Sequence, residues 1–193
     1  MKNIEILTSF ETEINLIDNE LEKPSTDDSL YWLNQATNKF VKTRFNGDQT
    51  HHTGYEQTEK RRTDLQRLFV STNVDLSEDE KNTSNASYDC YYITYPKDFM
   101  YALNEDVVIS DLDDKYRMNT CVFECTQDSF MYRINNSITD FHYRFHRARP
   151  IRTRTDDGCI LYTDKNYKIS RYTLGYIKTP SVITLEKWNE ETE

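Results

Sequence analysis

The feature that most constrains the fold of this chain is a change in the spacing of its apolar residues. Near the N-terminus they recur at intervals of three or four, which places them on one face of a helix. They are Ile4, Leu7, Phe10, Ile14, Ile17 and Leu21. From Tyr91 onward, short runs rich in β-branched and aromatic residues follow instead. The sequence therefore predicts an α+β protein in which helices come first and strands follow.

Two further helices are predicted before residue 70. Pro24 interrupts the first helix, and Ser25, Thr26 and Asp27 are good N-caps for a second that ends at residues 46–48. Its expected inner stripe is Leu30, Leu33, Ala36, Phe40 and Phe45. Residues 53–56 have the capping-box pattern of a third helix, whose end contains Leu65, Leu68 and Phe69. Three helices with short connections favour an antiparallel bundle over residues 1–70.

The rest of the chain divides by composition. Residues 71–89 are polar and predict a surface loop or an insert that orders against a partner. Residues 90–185 are β-rich and are assigned to the same domain as an antiparallel β-sheet, and 186–193 form an acidic tail. Strands are expected at 91–95, 107–110, 118–125, 151–155, 159–163, 169–177 and 182–185, with a short helix from Thr126 through Ile134. Asp156-Asp157-Gly158 predicts a hairpin turn.

Composition limits the classes of partner. The chain has 193 residues and a net charge of −9, which disfavours general binding to nucleic acid or to an anionic membrane. No run approaches the ~20 apolar residues of a membrane span, and no apolar leader follows Met1. Four cysteines without a secretion signal are expected to be reduced thiols inside a cell. The 14 tyrosines and 9 phenylalanines suit half-buried sheet faces and protein interfaces.

Signatures of catalysis are sparse. The four glycines, Gly47, Gly54, Gly158 and Gly175, are too far apart for a phosphate-binding loop. The sequence also lacks the G-x-S-x-G and H-E-x-x-H patterns. We therefore expect no catalytic residues, no cofactor and no metal, and a protein that is not an enzyme.

Two possible metal sites compete with plainer interpretations. Cys121, Cys125, His142 and His146 approximate a zinc pattern, but residues four apart on a strand lie about 13 Å apart, so two cysteines on one buried strand face are favoured. The acidic set Asp106, Asp111, Asp113 and Asp114 lacks the pattern of a calcium loop. A solvated turn is the favoured interpretation.

Residues 141–154 form the sharpest local feature. They contain five arginines and no acidic residue: Arg144, Arg147, Arg149, Arg152 and Arg154. Interleaved aromatic residues make phosphate or base contact one interpretation. Pairing with carboxylates, within the fold or on a neighbouring subunit, is ranked above it because the protein is acidic. These arginines are the candidate interface residues.

The order of the segments resembles a known family. It combines a capped second helix ending in Phe40-Val-Lys-Thr-Arg-Phe45, the stretch Tyr55-Glu-Gln-Thr-Glu-Lys-Arg-Arg-Thr-Asp-Leu-Gln-Arg-Leu68, and a β-rich half closing with Tyr176-Ile-Lys-Thr-Pro-Ser-Val-Ile-Thr-Leu185. This layout resembles the ring or adaptor proteins that join portal to tail in crAss-like phages. It is also similar to the tail adaptors of short-tailed phages.

That resemblance implies a structural virion protein rather than an enzyme. It implies a homo-oligomeric ring of twelve copies beneath the portal, with the helical bundle on the portal side and other tail or ring proteins as partners. Assembly would take place in the cytoplasm of the bacterial host. The alternatives left open are a nucleic-acid-binding accessory protein that uses residues 141–154, and a zinc module.

Overall fold

Contacts between residues divide the chain into two units. The computed structural model describes residues 3–17, 24–46, 59–76, 81–84, 88–113, 115–136 and 148–185. The first unit comprises Met1–Leu68 and Thr179–Glu193, and the second comprises Phe69–Lys178. The single domain stays a prediction, and the C-terminal stretch from Thr179 groups with the helices rather than with the strands.

The first unit contains three helices in its described part. They are α1 (Asn3–Ile17), α2 (Thr26–Asn46) and α3 (Glu59–Leu65), and a 3-10 turn (Gln66–Leu68) follows α3. The predicted cap of α2 is confirmed, because the Ser25 hydroxyl accepts a hydrogen bond from the Asp28 amide at 3.1 Å. None of the described helices has the length and apolar character needed to cross a membrane.

The buried face of α2 differs from the predicted stripe. Ser29 and Val41 are buried, whereas Ala36 and Phe40 are exposed. Leu30, Leu33 and Phe45 of the predicted stripe are half-buried, so the prediction is wrong only for Ala36 and Phe40. Phe40 stays at the surface with the Arg44 guanidinium 5.0 Å from its ring centroid. Arg44 also pairs with Asp64 at 3.0 Å, which ties α2 to α3.

The antiparallel bundle itself stays a prediction. Helix α2 contacts both α1 and α3, as a bundle requires. The connections 18–23 and 47–58, with the predicted capping box at 53–56, lie outside the described residues.

The C-terminal segment 179–185 is held by side chains instead of forming the predicted strand at 182–185. The Asn34 amide oxygen accepts a hydrogen bond from the Ile183 N–H at 2.8 Å, and its Nδ2 donates to the Ile183 carbonyl at 3.1 Å. Asn3 donates to the Thr184 carbonyl at 2.7 Å. The strand prediction was wrong because side chains of α1 and α2, and not another strand, bond these backbone groups.

The second unit contains two β-sheets where one antiparallel sheet was expected. The first has the strand order β1-β9-β4-β5, and the second has the order β2-β3-β8-β7-β6. In chain order the strands are β1 (Phe69–Asp75), β2 (Lys81–Ser84), β3 (Asp89–Thr94), β4 (Phe99–Asp111), β5 (Arg117–Cys121), β6 (Phe123–Glu124), β7 (Ile151–Arg154), β8 (Gly158–Thr163) and β9 (Tyr167–Lys178). Among the described strands, every pair is antiparallel except β6–β7. The α+β class is confirmed.

The predicted loop 71–89 was wrong. Residues 71–75 belong to β1, 81–84 form β2, and Asp89 begins β3. In β1, residues at even positions such as Val70 and Val74 are half-buried and those at odd positions are exposed. The strand was missed because it lies at a sheet edge with one face in water, where polar residues are tolerated.

The predicted strand 118–125 is divided at Val122. Strand β5 lies in the first sheet and β6 in the second. Between them, the Val122 amide donates to the Glu105 carbonyl at 3.2 Å and the Phe123 amide to the Pro150 carbonyl at 3.0 Å. The chain therefore crosses from one sheet to the other at this residue.

Residues of both sheets form the main core of this unit. Its buried members are Leu76, Tyr91, Ile93, Val107, Ile109, Cys159, Leu161, Tyr167, Ile169, Tyr172, Leu174 and Tyr176. A second cluster joins Cys90 and Tyr162 of the second sheet to Phe130 and Ile134 of α4 (Phe130–Asn136). The β7–β8 hairpin is confirmed. A Cβ at Gly158 would clash with the Ile93 carbonyl oxygen, which explains the glycine.

Candidate assembly surface and buried charge cluster

Three of the five arginines predicted as an interface lie in the described part of the chain. Arg144 and Arg147 lie outside the described residues. Arg152 is buried, so its assignment to an exposed interface was wrong. Arg149 is half-buried, with its guanidinium 5.3 Å from the Phe123 ring centroid, and Arg154 is exposed. Of the described arginines in this segment, Arg149 and Arg154 are the ones that reach the surface.

Arg152 forms the centre of a charge cluster that links the two sheets. Its Nε lies 2.6 Å from Glu105 Oε2, and its Nη2 lies 3.0 Å from Glu124 Oε2. Its Nη1 donates to the Tyr95 hydroxyl at 3.2 Å. Glu105 lies on β4 of the first sheet, whereas Arg152 and Glu124 lie on β7 and β6 of the second. This internal pairing is the kind that the acidic composition favoured.

Burial governs the electrostatics of the cluster. It raises the pKa of Glu105, and Arg152 opposes that rise. Burial is the largest single influence on Arg152 and acts to lower its pKa, but the combined attraction of the nearby acidic groups, led by Glu105, outweighs it and the Arg152 pKa is raised. Nearby, burial raises the pKa of the Cys159 thiol to about 11. A thiol that stays protonated at neutral pH is a poor nucleophile.

The zinc candidates do not converge in the described part of the chain. Cys121 is exposed at the end of β5, whereas Cys125 is buried beside α4, so the favoured interpretation of two cysteines on one buried face was also wrong. His142 and His146 lie outside the described residues. Where the structure describes the chain, no three acidic, histidine or cysteine side chains come together as metal ligands.

The acidic set is dispersed too. Asp113 pairs with Lys115 at 2.9 Å, and Asp106 accepts a hydrogen bond from Asn104 at 3.1 Å. Asp111 accepts one from the Leu112 amide at 2.8 Å, and Asp114 lies outside the described residues. The favoured solvated turn fits Asp113, which lies in the β4–β5 turn, and Asp111 at its edge, but it was wrong for Asp106, which lies within β4.

Apolar side chains project from the tip of the β4–β5 hairpin. Leu112, Tyr116 and Met118 are between 53% and 77% exposed. Tyr116 and Met118 line a shallow groove with Ala148 and Tyr167. Sequence reasoning missed this patch, because three apolar residues among Asp, Lys and Arg resemble an ordinary polar turn.

The first unit also exposes aromatic residues. Tyr31 and Trp32 of α2 are 57% and 60% exposed, and their rings meet edge to face at 5.4 Å. Exposed pairs of this kind are enriched where proteins meet. Each unit thus carries an apolar patch that packs little within the described chain.

Open strand edges are a third feature of the surface. In the described part of the second unit, β1 pairs only with β9 and β5 pairs only with β4, so both outer strands of the first sheet leave one side unpaired. An unpaired edge presents N–H and C=O groups that another strand can bond.

A family model for phage tail ring protein 3/4 matches residues 3–192 of this chain. The chain belongs to this family. No curated protein matches it. The resemblance to ring proteins of crAss-like phages is thereby confirmed.

Proposed function

We propose that this protein is a non-enzymatic subunit of a ring at the portal–tail junction, where it acts as a head–tail connector. The family match along nearly the whole chain carries the proposal. The structure supports it through exposed patches on both units and two open edges on one sheet. The proposal includes assembly in the host cytoplasm, a homo-oligomer of twelve copies, and the portal and other tail proteins as partners.

We assign portal contact to the first unit. Its helices are proposed to pack as an antiparallel bundle that presents Tyr31 and Trp32 to the portal. Both side chains are more than half exposed on one turn of α2, so truncating them changes the surface with little effect on the fold. Aromatic residues of this kind carry a large share of the binding energy at protein interfaces.

The test is co-expression with the tagged portal of the same phage, followed by purification and negative-stain imaging. We expect an additional ring on the portal that survives moderate salt. Trp32→Ala should reduce the amount of bound protein about tenfold or more, whereas Lys39→Ala on the same helix should not. Portal recovered without this protein would contradict direct portal contact.

The nucleic-acid interpretation is less well supported. It needs the arginines of 141–154 to act as one surface, but Arg152 is paired internally with Glu105 and Glu124. Binding that falls steeply with salt and disappears in Arg149→Ala/Arg154→Ala would revive it.

A further inference from the structure

The two open edges of the first sheet differ from the edges of the second sheet. Natural proteins protect exposed edges with lysine, proline, bulges or very short strands. In the second sheet, edge strand β2 contains Lys81 and a register shift, and edge strand β6 has two residues. In the first sheet, β1 and β5 contain no lysine or proline, and no register shift interrupts the β1–β9 or β4–β5 pairing.

We propose that β5 of one subunit pairs with β1 of the next copy of this chain, so that the first sheet continues from subunit to subunit around the ring. This inference rests on the proposed ring and names the contact that builds it. A contact between two different edges is heterologous, which is the type that generates rings.

Strand direction permits this continuation. All neighbours in β1-β9-β4-β5 are antiparallel, so β1 and β5 run in opposite directions. If a second copy places its first sheet next to β5 in the same orientation, the β1 strand of that copy runs antiparallel to β5. The buried faces of the two sheets then lie on the same side.

The backbone hydrogen bonds show which residues point outward. After β1, the Leu76 amide donates to the Ser170 carbonyl of β9, so the even residues of this strand bond to β9. The backbone N–H and C=O groups of the odd residues therefore point to the open edge. At either end of β5, the Tyr116 carbonyl accepts from Asp111 and the Val122 amide donates to Glu105, both of β4. Residues 117, 119 and 121 of β5 therefore face the open edge as well.

One register satisfies both strands. It places Arg117 opposite Asp75, Asn119 opposite Asn73, and Cys121 opposite Ser71, which are three outward-facing pairs with roughly six backbone hydrogen bonds between them. On the other face it places Met118 opposite Val74, and Thr120 opposite Thr72.

Each of these side-chain pairs is compatible. Opposite charges, apolar partners and threonine pairs are the cross-strand combinations that stabilise antiparallel strands. Asp75 contacts Arg171 of its own chain at 2.7 Å through one carboxylate oxygen, and its side chain is 76% exposed, which leaves room for a second cation such as Arg117 of a neighbouring copy. A register shifted by two residues, with Cys121 opposite Asn73, would place Asn119 opposite Asp75 and separate the charged pair.

Cysteine cross-linking tests this register, because Cys121 and Ser71 are both exposed. Cα atoms of a hydrogen-bonded antiparallel pair lie about 5.5 Å apart, within the range of a disulfide. In Ser71→Cys, mild oxidation of portal-bound rings should link the introduced thiol to Cys121 of the neighbouring copy and give a ladder of covalent multimers. A second matched variant, Asn73→Cys/Asn119→Cys/Cys121→Ser, should give the same ladder.

Two controls define the result. Ser71→Cys/Cys121→Ser removes one partner and should stay monomeric on a non-reducing gel. Asn73→Cys with native Cys121 tests the register shifted by two residues and should cross-link far less.

As an independent readout, Arg117→Asp should weaken subunit association about fivefold, and Arg117→Asp/Asp75→Arg should restore it.

The outcomes separate the two proposals. Ladders from both matched variants but not from the controls support edge pairing. Rings that form normally but give no ladder from either matched variant overturn edge pairing and leave the ring function intact. If the wild-type protein forms no ring with the portal, the proposed function fails, and the edge contact fails with it.

Discussion

At the scale of single residues, a buried ion pair in the second unit removes a predicted interface residue from the surface. Arg152 is 5% exposed and faces Glu105, which is 7% exposed. Glu124 and Tyr95 complete the contacts. A buried ion pair is weak evidence for net stability, but removing one partner leaves an uncompensated buried charge. Arg152 therefore joins the two sheets through a contact that depends on both charges.

Arg152→Met should lower the free energy of unfolding by about 3–5 kcal/mol, because Glu105 would remain buried without a cation. Glu105→Gln/Arg152→Met should recover part of that loss. Denaturant unfolding measures both. Arg154→Met is the matched control, and a change below about 1 kcal/mol is expected because Arg154 is exposed. Equal losses in Arg152→Met and Arg154→Met would rule out the buried-charge explanation.

The Cys159 thiol predicts a loss of stability at alkaline pH. Its pKa rises from 9.0 to about 11 through burial, so between these values the unfolded chain releases a proton that the folded chain retains. The thiol therefore makes its full contribution to the free energy of unfolding below pH 9. This contribution, at most about 3 kcal/mol, is lost as the pH rises to 11. Burial also raises the pKa values of Tyr95, Tyr167 and Tyr172, which adds to the loss above pH 10.

Unfolding by denaturant at pH 8, 9.5 and 11 checks this. In Cys159→Ala, the free energy of unfolding should start lower at pH 8 but decline less as the pH rises. In Cys121→Ala the decline with pH should be unchanged, because that thiol is exposed. A wild-type decline that persists unaltered in Cys159→Ala would assign the effect to the tyrosines alone.

At the scale of elements, short sequence patterns correctly predicted the turns and helix caps that neighbouring residues determine. Asp156-Asp157-Gly158 predicted the β7–β8 hairpin, and Ser25 predicted the start of α2. Edge strand β1 was missed because its alternation is carried by Val70, Thr72 and Val74 among polar residues. The crossing at Val122 and the burial of Arg152 depend on partners distant in sequence, Glu105 among them, and no local pattern contains that information.

Asn34 should control the order of the C-terminal segment. Its amide makes both hydrogen bonds to the Ile183 backbone, so Asn34→Ala should accelerate hydrogen exchange of the Ile183 amide by about tenfold. Exchange measured by NMR at this amide is the direct readout. Asn3→Ala is the control, because Asn3 contacts the Thr184 carbonyl and not Ile183. Unchanged exchange in Asn34→Ala would show that other contacts hold the segment.

At the scale of the whole molecule, the division into two units suggests that each unit has its own role. The second unit contains both sheets, the main core and the charge cluster. Its ends are adjacent, because Phe69 pairs with Ile177 next to Lys178. The chain thus enters and leaves the second unit at one place, and this unit can be isolated without cutting any of its strands.

Residues 69–178 expressed alone should therefore fold, lose portal binding and keep the strand edges. The core cluster lies wholly within this range, and the burial of each of its large side chains is worth about 1.5–3 kcal/mol. Far-UV circular dichroism should show one cooperative thermal transition. Both tryptophans lie outside the fragment, so tyrosine emission reports its tertiary structure.

A matched fragment that begins at residue 76 and removes β1 should be much less stable. An unfolded 69–178 would show that the helical unit is required for the sheets to form.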